Sequence, residues 1–122
     1  VKAANGYLLP EHFPPLGVTN ILGVEPAANV AAVARDKGIP ILVDFFGRSV
    51  AVQLAVERGH ADLVLGNNVL AHVPDLNDFL AGAVALVKPN GTITFEFPYL
   101  RNLLKYTQFD TIYHEHFCYF SA

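Results

Sequence analysis

The sequence predicts an α/β fold, a mostly parallel sheet with helices on both faces. Short apolar runs recur along the chain, each reading as a strand. Helical stretches separate consecutive runs, and no linker, repeat or low-complexity segment interrupts them. Strands that alternate with helices are joined by crossovers, so they run parallel and are covered on both faces. At 122 residues the chain is one domain at most, residues 1–122. Hydrophobic residues make up 52% and charged ones 16%, which excludes a disordered chain.

Asn20 to Glu25 is the first apolar run, a buried strand that ends in an acid. Pro26-Ala27-Ala28-Asn29 opens an Ala/Val-rich helix to about Lys37, and Gly38 stops it. Ile39 to Asp44 is the next strand, followed by Phe45-Phe46-Gly47. Ser49 is the expected N-cap of a helix that runs through Ala55 and ends near Gly59. Asp62 to Gly66 is a third strand. Asp75 caps a helix whose apolar positions Leu76, Phe79, Leu80, Ala83, Val84 and Val87 form a helical stripe. Lys88-Pro89-Asn90-Gly91 reads as a turn, with Asn90 suited to a left-handed position. It leads into a fourth strand, Thr92 to Phe97, broken by Pro98. Residues 106–122 read as a loop dense in aromatic and ionisable groups.

A formal charge of −3 without Lys/Arg runs argues against a nucleic-acid or anionic-membrane surface. No apolar run is long enough to span a bilayer, and the start does not resemble a signal peptide. Cys118 is the single cysteine, so an internal disulfide and a cysteine zinc site are both excluded. A cytoplasmic setting is the default. Position 1 is not Met, and the chain stops at Phe120-Ser121-Ala122, which together suggest an excerpt of a longer protein.

Parallel α/β sheets bind ligands at the carboxyl ends of their strands. That rule selects Glu25, Asp44-Phe45, Asn67-Asn68, and Glu96 with the residues just after it. A carboxylate at Glu25 can take both ribose hydroxyls of a nucleoside, or it can simply favour the following helix N-terminus. By position alone it does not separate a nicotinamide cofactor from S-adenosylmethionine. Asp44 can bond an adenine amino group, and Phe45 can stack on the ring.

The succession of Asp44-Phe45, Asn67 to His72, and Leu86-Val87-Lys88-Pro89-Asn90-Gly91 before the last strand resembles class I S-adenosylmethionine methyltransferases. The resemblance implies a Rossmann-like core and S-adenosylmethionine as cofactor. Its implied cofactor contacts are Gly6, Glu25, Pro26, Asp44, Phe45, Asn67 and Asn68. Gly6, after Asn5, corresponds to the end of the glycine-rich loop that follows the first strand of such enzymes. That strand and the last strands of the fold are missing here, so the core is expected to be incomplete. The missing strand would lie centrally, which predicts self-association through unpaired backbone.

Asp110-Thr111-Ile112-Tyr113-His114-Glu115-His116-Phe117 concentrates two histidines, a carboxylate and a phenol within the four residues Tyr113 to His116. That density supplies a base, an orienter and a hydrogen-bond donor in one place. A loop with incidental histidines is the plainer alternative. Zinc is disfavoured, because His114-x-His116 has no third ligand and lacks helical spacing.

This stretch, with Asn67 to Pro74, Gly91 to Pro98 and Gly6-Tyr7-Leu8-Leu9, closely resembles nucleotide-sugar C-methyltransferases of deoxysugar biosynthesis. The resemblance covers nearly the whole chain and implies methylation of a carbon beside a ketone. A base removes the α-proton, and the enolate attacks the sulfonium methyl, a reaction that requires no metal. By the family pattern His116 is the base, Tyr113 and Glu115 place the sugar or tune the imidazole, and His114 is the second candidate base. His72 lies near the same sheet edge, where loop packing also accounts for it. Two other readings stand beside this one. One is a nicotinamide-dependent oxidoreductase fragment, disfavoured by the missing GxGxxG; the other is a non-catalytic nucleoside-binding remnant.

Overall fold

The computed structural model describes residues 14–110 and 112–121. Its strands are β1 (Gly23–Val24), β2 (Ile41–Leu42), β3 (Ala61–Asn67) and β4 (Val87–Glu96), and its helices are α1 (Ala28–Asp36), α2 (Arg48–Arg58), α3 (Leu76–Leu86) and α4 (Leu100–Lys105). Both ladders are parallel, as the alternation predicts. Gly23 pairs with Ile41 and Val24 with Leu42, while β3 and β4 run in register from Leu63↔Thr92 to Asn67↔Glu96.

The first two strands are shorter than their apolar runs. Pro40, which brings no N–H of its own, accepts from Gly23 N–H at 2.9 Å, and Glu25 N–H reaches Leu42 O at 3.0 Å. Asp44 then accepts its neighbour's N–H, Phe45, at 2.8 Å and turns the chain out of the sheet. The expected single sheet is therefore two parallel pairs, β1–β2 and β3–β4, with no strand joining them among the described residues. A cavity of about 200 Å³ is lined by Ile21 and Leu22 beside β1 and by Leu63 and Leu65 of β3. One apolar core still spans both pairs, with Val24, Ala51, Leu54, Val64, Ala83 and Leu86 buried together. The helices thus hold the two halves together where backbone hydrogen bonds do not.

α1 closes as expected, on Gly38 at φ 79°, a left-handed position where glycine carries no Cβ penalty. α2 departs from expectation at its start. Gly47 is its N-cap and Ser49 lies inside the helix. The cap comes from elsewhere: Asp78, in the first turn of α3, accepts the Arg48 N–H at 3.2 Å. α3 is capped by Asp75, which accepts from Asp78 N–H at 2.9 Å. Its buried stripe is Phe79, Gly82, Ala83 and Leu86, a regular i, i+3, i+4, i+7 series, whereas Val84 is 67% exposed. Gly82 belongs to that stripe because a Cβ there would lie 2.7 Å from the Gly47 carbonyl carbon.

Lys88 to Gly91 is not a free turn. The register steps from Ala61↔Val87 to Leu63↔Thr92, so these residues form a bulge within β4. Asn90 is not left-handed; among the described non-glycine residues only Asn68 and Thr107 are. Gly91 fits the close approach instead, since a Cβ there would meet the Ala61 and Asp62 carbonyl oxygens at 3.0 Å. The short helix α4 has no counterpart in the sequence pattern, and from Tyr106 onward the described residues are largely irregular, as expected.

Candidate active site

The carboxyl-side segments after β1, β2 and β3 converge on one cleft of about 450 Å³. Glu25, Pro26, Phe45 and Asn68 line it, joined by Phe46 and His72. Phe45 is 79% exposed, a large apolar face available for stacking. Phe46 is held from behind, edge-on to Phe79 at 5.2 Å. Asp44 and Asn67 do not line the cleft. Asp44 is occupied with Phe45 N–H, and Asn67 ends β3 with its amide turned to Glu96 at 3.1 Å. Gly6 lies outside the described residues.

Glu25 keeps both of its expected roles in view. One carboxylate oxygen accepts Ala27 N–H at 2.9 Å, which is the plain helix-start role, while the residue still lines the cleft. A carboxylate has two oxygens and several lone pairs, so capping and ligand binding are compatible.

The loop at 113–118 is pinned to the turn that carries His72. Phe117 N–H donates to Ala71 O at 2.6 Å, and Cys118 N–H reaches the same oxygen at 3.4 Å. Ala71 is buried in the 3-10 turn Leu70–His72, so the anchor is firm. The result is an aromatic cluster. The His116 ring lies 4.6 Å from His72 and 4.2 Å from Tyr113, with Tyr119 at 5.8 Å. His72 belongs to both the cleft and this cluster, which makes the two contiguous.

The same loop sends its other two polar residues elsewhere. The His114 side chain is 90% exposed and the Glu115 side chain 63%, with 4.0 Å between His114 Nε2 and Glu115 Oε1. Of the four expected catalytic residues, His116 and Tyr113 come together, and His114 faces solvent. Sequence reasoning missed Phe46 and Asp78, which also line the cleft. The bond from Arg48 N–H to Asp78 joins residues 30 apart, and no local pattern announces it.

A family described as "Methyltransferase domain" matches residues 3–122. The chain belongs to this methyltransferase family. Among individual relatives, it is 46% identical over 101 residues to the C-methyltransferase NovU of Streptomyces niveus, covering 83% of this chain and 24% of that protein. It is 37% identical over 87 residues to a ubiquinone biosynthesis O-methyltransferase of Rhodopseudomonas palustris, covering 69% and 33%. A protein of the same name from Methylobacterium nodulans is 36% identical over 91 residues, covering 70% and 34%. The chain thus spans about a quarter to a third of the length of these relatives. The match decides against the nicotinamide oxidoreductase reading.

S-adenosylmethionine is the cofactor of this methyltransferase family. The cleft suits it chemically. Phe45 and Phe46 offer apolar faces for a purine, Glu25 offers acceptors for hydroxyls, and Asn68 also lines the wall. No group of three or more His, Cys, Asp or Glu placed to hold a metal occurs among the described residues. No helix among them is long and apolar enough to cross a membrane.

Proposed function

We propose that this methyltransferase domain places a methyl group on carbon, beside the ketone of a nucleotide-linked deoxysugar, in a cytoplasmic setting. The observation that carries the reading is the His116 cluster, fixed against His72 at the rim of the cofactor cleft. Bound S-adenosylmethionine supplies an electrophilic methyl on sulfur. His116 takes the proton from the sugar α-carbon, leaving an enolate whose carbon forms the new C–C bond as the bond from the methyl to sulfur breaks and its electron pair stays on sulfur. Tyr113, in ring contact with His116, places the sugar carbonyl or steadies the imidazole. Glu25 holds the ribose, and Phe45 covers the adenine. The name of NovU, a C-methyltransferase, supports carbon as the acceptor, and the similar O-methyltransferases supply the competing outcome.

The test uses S-adenosylmethionine labelled with ¹³C in the methyl group and a nucleotide-linked keto-deoxysugar. A product methyl carbon bonded to ring carbon is expected in the NMR spectrum, and a methoxy signal would overturn the reading. Calorimetric titration with S-adenosylhomocysteine, with a nicotinamide dinucleotide as control, tests the cleft separately.

The two-pair sheet supports a further part of the proposal. Expressed as these 122 residues, the chain self-associates through the edges of β1 and β3 that lack partners among the described residues. A monodisperse monomer in light scattering, with one cooperative melt, would count against it.

A further inference from the structure

We infer that Glu96 is a positioning residue that sets the polarity of the cleft at the end of β3, making it select a ligand's ammonium group. This rests on the placement of S-adenosylmethionine in the cleft proposed above. Glu96 ends β4 directly beside Asn67 and engages both asparagines at the end of β3. Its Oε2 accepts from Asn67 Nδ2 at 3.1 Å, and its Oε1 accepts from Asn68 Nδ2 at 3.4 Å. Its backbone carbonyl accepts the Asn68 N–H at 2.7 Å. Asn68 sits at φ 52°, a left-handed conformation that asparagine tolerates better than most residues.

An ionised carboxylate only accepts hydrogen bonds, whereas an amide side chain donates through nitrogen and accepts through oxygen. Facing Glu96, both asparagines must turn their NH₂ groups toward it. What Asn68 leaves for a ligand is its carbonyl oxygen. Asn68 lines the cleft and Glu96 does not, so Glu96 acts through the amide. An acceptor oxygen backed by a negative charge favours a group that is all donor and cationic, which describes a primary ammonium. The amino-acid part of the methyl donor carries such a group, and its adenosine part carries none. Without the carboxylate, the amides can reverse and offer NH₂ to the same position, which would repel the ammonium.

The experiment is calorimetric titration of the full natural protein and its Glu96→Gln variant with two ligands. S-adenosylhomocysteine has the amino-acid tail, and 5′-methylthioadenosine keeps the nucleoside without it. Glu96→Gln is expected to weaken S-adenosylhomocysteine about tenfold while moving 5′-methylthioadenosine by less than about twofold. Unchanged affinity for the first ligand, or parallel loss of both, overturns the role of Glu96. Parallel loss is what general loosening of the loop would give. If the melt shows Glu96→Gln to be unfolded, Asn68→Ala carries the same comparison, with the same selective loss expected and the same outcomes overturning it. Failure of the parent to bind either ligand would instead remove the cofactor placement on which the inference stands, and the inference with it.

Discussion

The candidate cofactor cleft and the candidate catalytic loop are built on opposite plans. The cleft gathers Glu25, Phe45, Asn68 and His72 from three separate strand ends, each set by a strand or helix that would fold there anyway. The loop carries its candidates in one contiguous stretch, held down by N–H bonds to a single buried carbonyl, that of Ala71. Residues at the strand ends accordingly do double duty, as Glu25 shows in capping Ala27 and Asp44 in turning the chain at Phe45. The loop's side chains are arranged around that anchor, with His116 and Tyr113 packed on each other and His114 and Glu115 turned to solvent. Substitutions in the cleft should therefore disturb binding and folding together, whereas substitutions in the loop should separate chemistry from both.

His116→Asn is the sharpest way to break that contrast. It should slow methyl transfer by about 10²–10⁴-fold, the usual contribution of a positioned base. The affinity for S-adenosylhomocysteine should stay nearly constant, because the base acts on the sugar. Solvent exchange of the sugar α-proton, followed by NMR in deuterated water, should be lost in parallel. Near-normal exchange in the variant would end the base assignment and leave the cleft untouched.

Glu25→Ala should show the opposite profile, with binding and stability moving together. Loss of its hydrogen bonds to the ribose should weaken S-adenosylhomocysteine by about 1.5–3 kcal/mol. Loss of the bond from Ala27 N–H should also lower the melting temperature, since helix-start contacts contribute about 0.5–2 kcal/mol. A lower melting point with unchanged affinity would reduce Glu25 to its capping role.

Gly82→Ala tests whether the cleft depends on its helices. The added methyl would press on the Gly47 backbone, next to Phe46, and should cost about 1–3 kcal/mol of stability as overpacking does. Because Phe46 and Gly47 line the cleft, cofactor affinity should fall as well. A stability loss with intact affinity would show that the cleft wall moves independently of α3.

The contrast also explains which features are legible in the sequence. Parallel α/β order, the Asp75 cap and the Gly38 stop follow from local chemistry, and each stands where the pattern places it. The strand-end rule finds Glu25, Phe45 and Asn68, because topology alone brings those positions to one edge. It does not distinguish Asn68, which lines the cleft, from Asn67, whose amide faces Glu96; that depends on one left-handed residue. Ser49 looks like a cap because its true competitor, Asp78, is supplied by another helix. Asn90 looks left-handed because a bulge and a turn share the same residue types.

The smallest expected effect decides between neighbours. His114 and His116 are two residues apart, and composition gives no reason to prefer either. Their surroundings differ: the His116 ring touches Tyr113 and His72, while the His114 side chain is 90% exposed near Glu115. A base must reach a substrate atom and keep its orientation, which a solvated side chain free to rotate does poorly. His114→Asn should therefore change turnover by less than about threefold, far below the loss expected for a positioned base. Proton exchange and cofactor affinity should both stay at the parent level. A loss as large as that of His116→Asn would mean that the loop closes over the sugar in a second arrangement, bringing His114 inward and making it the base.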